Sequence, residues 1–154
     1  MARLKLALDT NIVVDFLKVR QPYYESARKL MICGRVGEFE LYVSSSQFTD
    51  LIHILSNGGQ SSRMPQTLKS LKKLRTFVDV LPIGPDEIDT MLDSTWSDPE
   101  DFLLFECAVR NRADALITRN AKDFESDLIP VFDCDELFVW LEERFGLVYD
   151  EVDL

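Results

Sequence analysis

Apolar positions change their period along the chain, and the changes outline the elements. Leu4-Lys5-Leu6-Ala7-Leu8 reads as a short strand that ends on Asp9. Ile12, Val13, Phe16 and Leu17 then recur at helical spacing, which predicts a helix from Asn11 to about Arg20, broken by Pro22. A second helix is expected over 23–36, stopping near Gly34 and Gly37, and a second strand over 39–44. Ser44 and Gln47 have the form of a capping box before a helix over 47–55. Residues 56–65, rich in Ser, Gly and Asn, read as a loop, followed by a helix over 65–75. A strand over 77–83 and helices over 86–93 and 98–111 come next, then strands at 115–118 and 131–132 and a last helix over 135–145. Strands alternating with helices predict an α/β fold: a three-layer α/β/α arrangement around a mostly parallel sheet of about five strands.

Composition narrows the class. The chain has 154 residues, 46% of them apolar, enough for one domain with a sizeable core. Apolar runs are too short for a membrane span. Met-Ala-Arg-Leu-Lys leads straight into the first strand, so no signal peptide is expected. Three cysteines in unrelated contexts and a single histidine, His53, argue against a Cys/His zinc site and for a reducing, cytoplasmic setting. A net charge of −10, from 27 acids against 17 bases, argues against broad phosphate neutralisation as a way to hold nucleic acid. It leaves open an enzyme that meets nucleic acid locally through a metal ion.

Four stretches hold candidate chemistry, each with a plain structural alternative. Asp9-Thr10-Asn11 stands at a strand end and consists of residues that also make good helix caps. Asp50 falls just beyond the apolar arc of Phe48, Leu51, Ile52, Ile54 and Leu55, where a solvated boundary residue would serve equally well. His53 points well away from that arc and is assigned to the surface. Asp98-Pro99-Glu100-Asp101 makes a good helix start, yet packs more acids into one turn than capping requires. Ala115-Leu116-Ile117 repeats the logic of the first strand and releases Thr118, Arg119, Asn120, Lys122 and Asp123 at its end. Lys69, Lys72, Lys73 and Arg75 form the only dense basic patch, which a solvated helix face would also explain.

Leu-Asp-Thr-Asn at 8–11, Asp-Pro-Glu-Asp at 98–101 and Thr-Arg-Asn-Ala-Lys-Asp-Phe at 118–124 together resemble the PIN domain family. The likeness is to its prokaryotic, toxin-like (VapC-type) ribonucleases and covers nearly the whole chain. The resemblance implies that Asp9, Asp50 and Asp101 are the catalytic acids. Asp9, Asp101, Asp98 and Asp123 would then supply metal ligation. Asp50 stands where the family usually has Glu, and Asn120 where it often has Asp. Thr10, Asn11, Thr118, Arg119, Asn120 and Lys122 would support the ligands or meet substrate. The resemblance further implies Mg²⁺ or Mn²⁺ as cofactor, RNA as substrate, a small antitoxin as partner and a homodimer. Physically, crowded carboxylates repel, and a hard divalent cation with a preference for oxygen removes the conflict. Two other classes fit parts of the pattern. One is a PIN-fold binding module without activity. The other is a phosphoryl-receiving or phosphatase domain with Asp9 as nucleophile, supported by fold-level analogy alone.

Overall fold

The structure is a computed structural model that describes residues 3–149. Its elements are β1 (Leu4–Leu8), α1 (Thr10–Leu17), α2 (Tyr24–Arg35), β2 (Phe39–Ser44), α3 (Phe48–Leu55), α4 (Met64–Leu74), β3 (Val78–Leu81), α5 (Pro85–Leu92), α6 (Pro99–Arg110), β4 (Ala115–Ile117), β5 (Val131–Phe132) and α7 (Cys134–Phe145). Every expected element is present, and the differences lie at the ends. Thr10, not Asn11, opens α1, because Asp9 is the cap and its carboxylate accepts from the Thr10 N–H. A 3₁₀ turn at Ser45–Gln47 precedes α3, and another at Ser61–Arg63 occupies the loop before α4.

The five strands run in the order β3-β2-β1-β4-β5, and every pairing is parallel. A sheet expected to be mostly parallel is therefore wholly parallel. The chain builds outward from β1 to β2 and β3, then returns to the other side of β1 for β4 and β5. The order thus reverses between β1 and β4, and in open α/β sheets the crevice beyond the strand ends at that reversal collects ligands.

Side-chain alternation assigns the two faces. Leu6, Leu8, Leu41, Val43, Val78, Ala115 and Ile117 point to one face, where they pack with Ile12, Leu30, Leu51, Leu71, Leu137 and Leu141 of α1, α2, α3, α4 and α7. Ala7 and Leu116 point to the other, against Leu104, Phe105 and Ala108 of α6 and Phe124. That second face is apolar only at the centre of the sheet. Under β2 and β3 it carries Glu40, Tyr42 and Asp79, none of them buried. This is why β2 and β3 alternate apolar and polar residues while β4 is apolar throughout. At the tightest crossing, α2 presents Gly34 to Leu41; a Cβ there would collide with the leucine side chain.

Candidate metal centre

Backbone hydrogen bonds bring the ends of β1 and β4 together. The Asp9 N–H donates to the Ile117 carbonyl at 2.9 Å, and the Thr118 N–H donates to the Phe132 carbonyl at 2.8 Å. The Thr118 hydroxyl then donates to Asp9 Oδ2 at 2.7 Å, while the Thr10 N–H donates to Oδ1 at 2.7 Å. Asp9 is thus held from both sides at the reversal point. Gln47 braces the floor: its Nε2 donates to the Leu8 carbonyl at 2.9 Å and to Thr10 Oγ1 at 3.2 Å, and its Oε1 accepts from the Ser44 N–H at 2.6 Å. The residue that reads as a capping partner of Ser44 therefore also ties the end of β2 to the end of β1.

The opposite wall is the start of α6. Asp98 Oδ1 accepts from the N–H groups of Glu100 and Asp101 at 2.9 and 3.2 Å, the cap its position suggests, with Pro99 at the first helical position. Asp101, in the first turn behind that cap, lines the same cleft as Asp9 and feels its charge. Asp9, Thr10, Asn11, Asp50, Asp98, Glu100, Asp101, Asn120 and Asp123 all line one cleft of about 690 Å³. Residues contributed by β1, α3, α6 and the turn after β4 thus converge.

Electrostatics mark the cleft as charged beyond what its neutral donors offset. Burial pushes Asp101 up to about 7, reinforced by Asp98, Asp9, Asp123 and Glu100. Burial also raises Asp9 above the ordinary carboxylate range, with Asp98 adding to it, against the lowering pull of the Thr118 and Thr10 hydrogen bonds and of the Arg119 charge behind them. Such a set of hard oxygen donors without cysteine suits Mg²⁺ or Mn²⁺ in kind. Among the described residues, no group of three or more His, Cys, Asp or Glu side chains is arranged to hold an ion as it stands. Asp9 and Asp98 direct oxygens to backbone and hydroxyl donors instead.

Three placements differ from the sequence reading. Arg119, expected to reach a substrate backbone, turns away from the cleft. Its Nε lies 3.0 Å from Asp15 Oδ2 and its guanidinium sits 4.1 Å from the centre of the Tyr23 ring. Lys122 is exposed and outside the cleft lining. His53 is exposed as expected, but it stands at the cleft beside Asp50 rather than on a distant surface. Ser46 and Thr49 also line the cleft and were not singled out, and Gln47 was read only as a cap; the polar run at 44–50, between β2 and α3, was the signal for them. The three cysteines are buried free thiols, with burial pushing Cys33 and Cys107 up to about 11 and Cys134 up to about 12.

The sequence profile of the PIN domain matches residues 5–122. Two solved structures align along most of the chain. One is VapBC2 from Rickettsia felis bound to a DNA fragment from its promoter. It has 16% identity over 83% of this chain and 97% of that chain, with a TM-score of 0.61. The other is DNA-bound VapBC from Salmonella typhimurium, with 21% identity over 85% of this chain and 98% of that one, and a TM-score of 0.63. At these identities the likeness speaks for the fold. No curated protein sequence matches the chain. With a match that spans most of its length, and with acids from both ends of that match meeting at one sheet edge, the chain belongs to the PIN domain family.

Proposed function

We propose that the protein is a metal-dependent endoribonuclease of the VapC type, the toxin of a toxin–antitoxin pair. The observation that carries this reading is the convergence of Asp9, Asp98, Asp101 and Asp123 on one cleft, with Asp101 pushed up to about 7 by burial and by the acids around it. Perturbed carboxylates gathered at a ligand-binding edge mark a functional site, and a hard cation there would relieve their repulsion. Mg²⁺ or Mn²⁺ bound there would acidify a water and offset charge on a phosphodiester. Asp9 and Asp101 would be the principal ligands, with Asp98 and Asp123 beside them. Thr118 and Thr10 hold the Asp9 carboxylate in orientation, a role that supporting hydrogen bonds commonly play at metal sites. Asp50 and His53, which line the cleft from α3, would orient the attacking water or serve the leaving group. Asn11, Asn120 and Ser46 offer neutral donors to substrate oxygens.

The aligned structures support one partner. The aligned structures are VapBC complexes, and an antitoxin that covers the acidic cleft is the regulation proposed for this chain. The net charge of −10 supports weak, salt-sensitive substrate contact over tight polyanion binding.

Cleavage of a structured RNA pool by purified protein with Mg²⁺ or Mn²⁺ tests the reading. Wild type should cut, and Asp9→Asn and Asp101→Asn should fall to background while remaining folded. Equal cleavage by wild type and Asp9→Asn sinks the assignment. The absence of a ready-made cage among the described residues favours one rival, a binding module without catalysis. Wild type that ignores Mn²⁺ in calorimetry yet still captures a partner would establish it.

A further inference from the structure

Among the described residues, Asp15 is the one carboxylate that the cleft does not use and the solvent does not reach. It sits inside α1 with a side chain that is 0% exposed. Its only short polar contact among the described residues is Arg119 Nε at 3.0 Å, and the N–H is not aimed well enough for a hydrogen bond. Both Asp15 oxygens thus lack a hydrogen-bond donor. A buried pair that is poorly hydrogen-bonded gives little net stability, because desolvation offsets the attraction; an apolar pair of similar volume would pack as well. Arg20 also faces Asp15, and Asp133 and Asp135 share the small cavity beside it with Tyr23.

What the pair does have is position. Thr118 and Arg119 are consecutive residues at the end of β4, and their side chains diverge. Thr118 reaches Asp9, the cap of α1, and Arg119 reaches Asp15, six residues further along the same helix, about 9 Å by helical rise. The dipeptide therefore grips α1 at two points. Tyr23, just before α2, stacks on the guanidinium and limits its sideways motion. The Asn120 N–H donates to Thr118 Oγ1 at 3.1 Å, so the residue that lines the cleft is set by the same clip.

We propose that Asp15 and Arg119 are positioning residues that set the rotation and depth of α1 against the end of β4, and so aim the Asp9 carboxylate into the cleft. The proposal deepens the metal-centre reading and rests on it only where metal affinity is measured.

The test uses the full chain in two forms. In Asp15→Leu with Arg119→Met, the charges are replaced by apolar side chains. In Arg119→Lys, the charge is kept and the planar stack is lost. Amide NMR signals of Thr10 and Asn120 report the bonds to Asp9 and Thr118; those of Leu6 and Leu116 report the core. With the charge-free pair, the core signals should hold while the Thr10 and Asn120 amides shift and exchange at least about tenfold faster, with Arg119→Lys showing the same change in smaller measure. Mn²⁺ affinity should fall by about 10–100-fold, as for other residues that orient metal ligands. Unchanged Thr10 and Asn120 amides in a folded variant overturn the proposal. So does failure of both variants to fold, which would make the pair structural only. Moved amides with unaltered Mn²⁺ affinity overturn its link to the site. If wild type itself ignores Mn²⁺, the metal reading fails, and the amide signals still decide whether the pair aims Asp9.

Discussion

Two regions of this protein withdraw carboxylates from water, and they treat them in opposite ways. At the sheet edge, Asp9 and Asp101 are surrounded by further acids, and both are pushed above the ordinary carboxylate range. On the flank of α1, Asp15 is fully buried but faces Arg119 and Arg20, which pull against the burial that raises it. The first region meets Asp101 with further acids and offsets Asp9 only in part, through Arg119; the second faces its one acid with two cations. Burial alone therefore does not mark a functional acid. What marks it is burial among like charges in a cleft open to a ligand.

Breaking the internal pair should have the largest effect. Asp15→Asn leaves Arg119 half-buried without a counter-charge and should cost about 3 kcal/mol in urea unfolding, the lower end of the usual range because Arg119 keeps some exposure. A loss under 1 kcal/mol would remove the contrast between the regions. Relieving the cleft should come next. Mn²⁺ at 100 times its dissociation constant should stabilise wild type by about 2.7 kcal/mol and leave Asp9→Asn with Asp101→Asn little changed. Equal thermal shifts in both proteins would place the ion elsewhere.

A smaller, pH-dependent effect separates the regions further. Asp101 is raised when folded, so the folded state holds its proton to higher pH than the unfolded chain. Without metal, its contribution is present below about pH 4 and is lost as pH rises to about 7. Coupling and solvent screening reduce the loss to about 1–2 kcal/mol. Asp101→Asn should flatten that slope, and stability curves at pH 5 and pH 8 would show it. The smallest effect expected is at the basic face of α4. Lys72→Ala should shift stability by less than about 0.5 kcal/mol, and a larger change would mean that this exposed face is tied to the rest of the molecule.

Much of the site was legible because it is built from local rules. Asp9 closes a strand and caps a helix, and Asp98 caps α6 with Pro99 behind it and Asp101 in its first turn. Gln47 was legible only in its local role, since its bonds to Leu8 and Thr10 cross between strands. Arg119 was placed on the substrate side because a cation beside a strand-end acid cluster invites that reading. The partner that turns it away, Asp15, lies more than a hundred residues earlier and looks like any polar position on a helix.

By itself, the sequence determined the alternation of strands and helices, the caps that open α1 and α6, and an excess of acids at element ends. Hydrophobic period and capping act over a few residues, so they are written in short stretches. The tertiary structure decided the strand order that puts β4 beside β1, and with it which acids face each other and which one meets an arginine. That choice depends on packing across the sheet, where residues distant in the chain meet and no local pattern records the outcome.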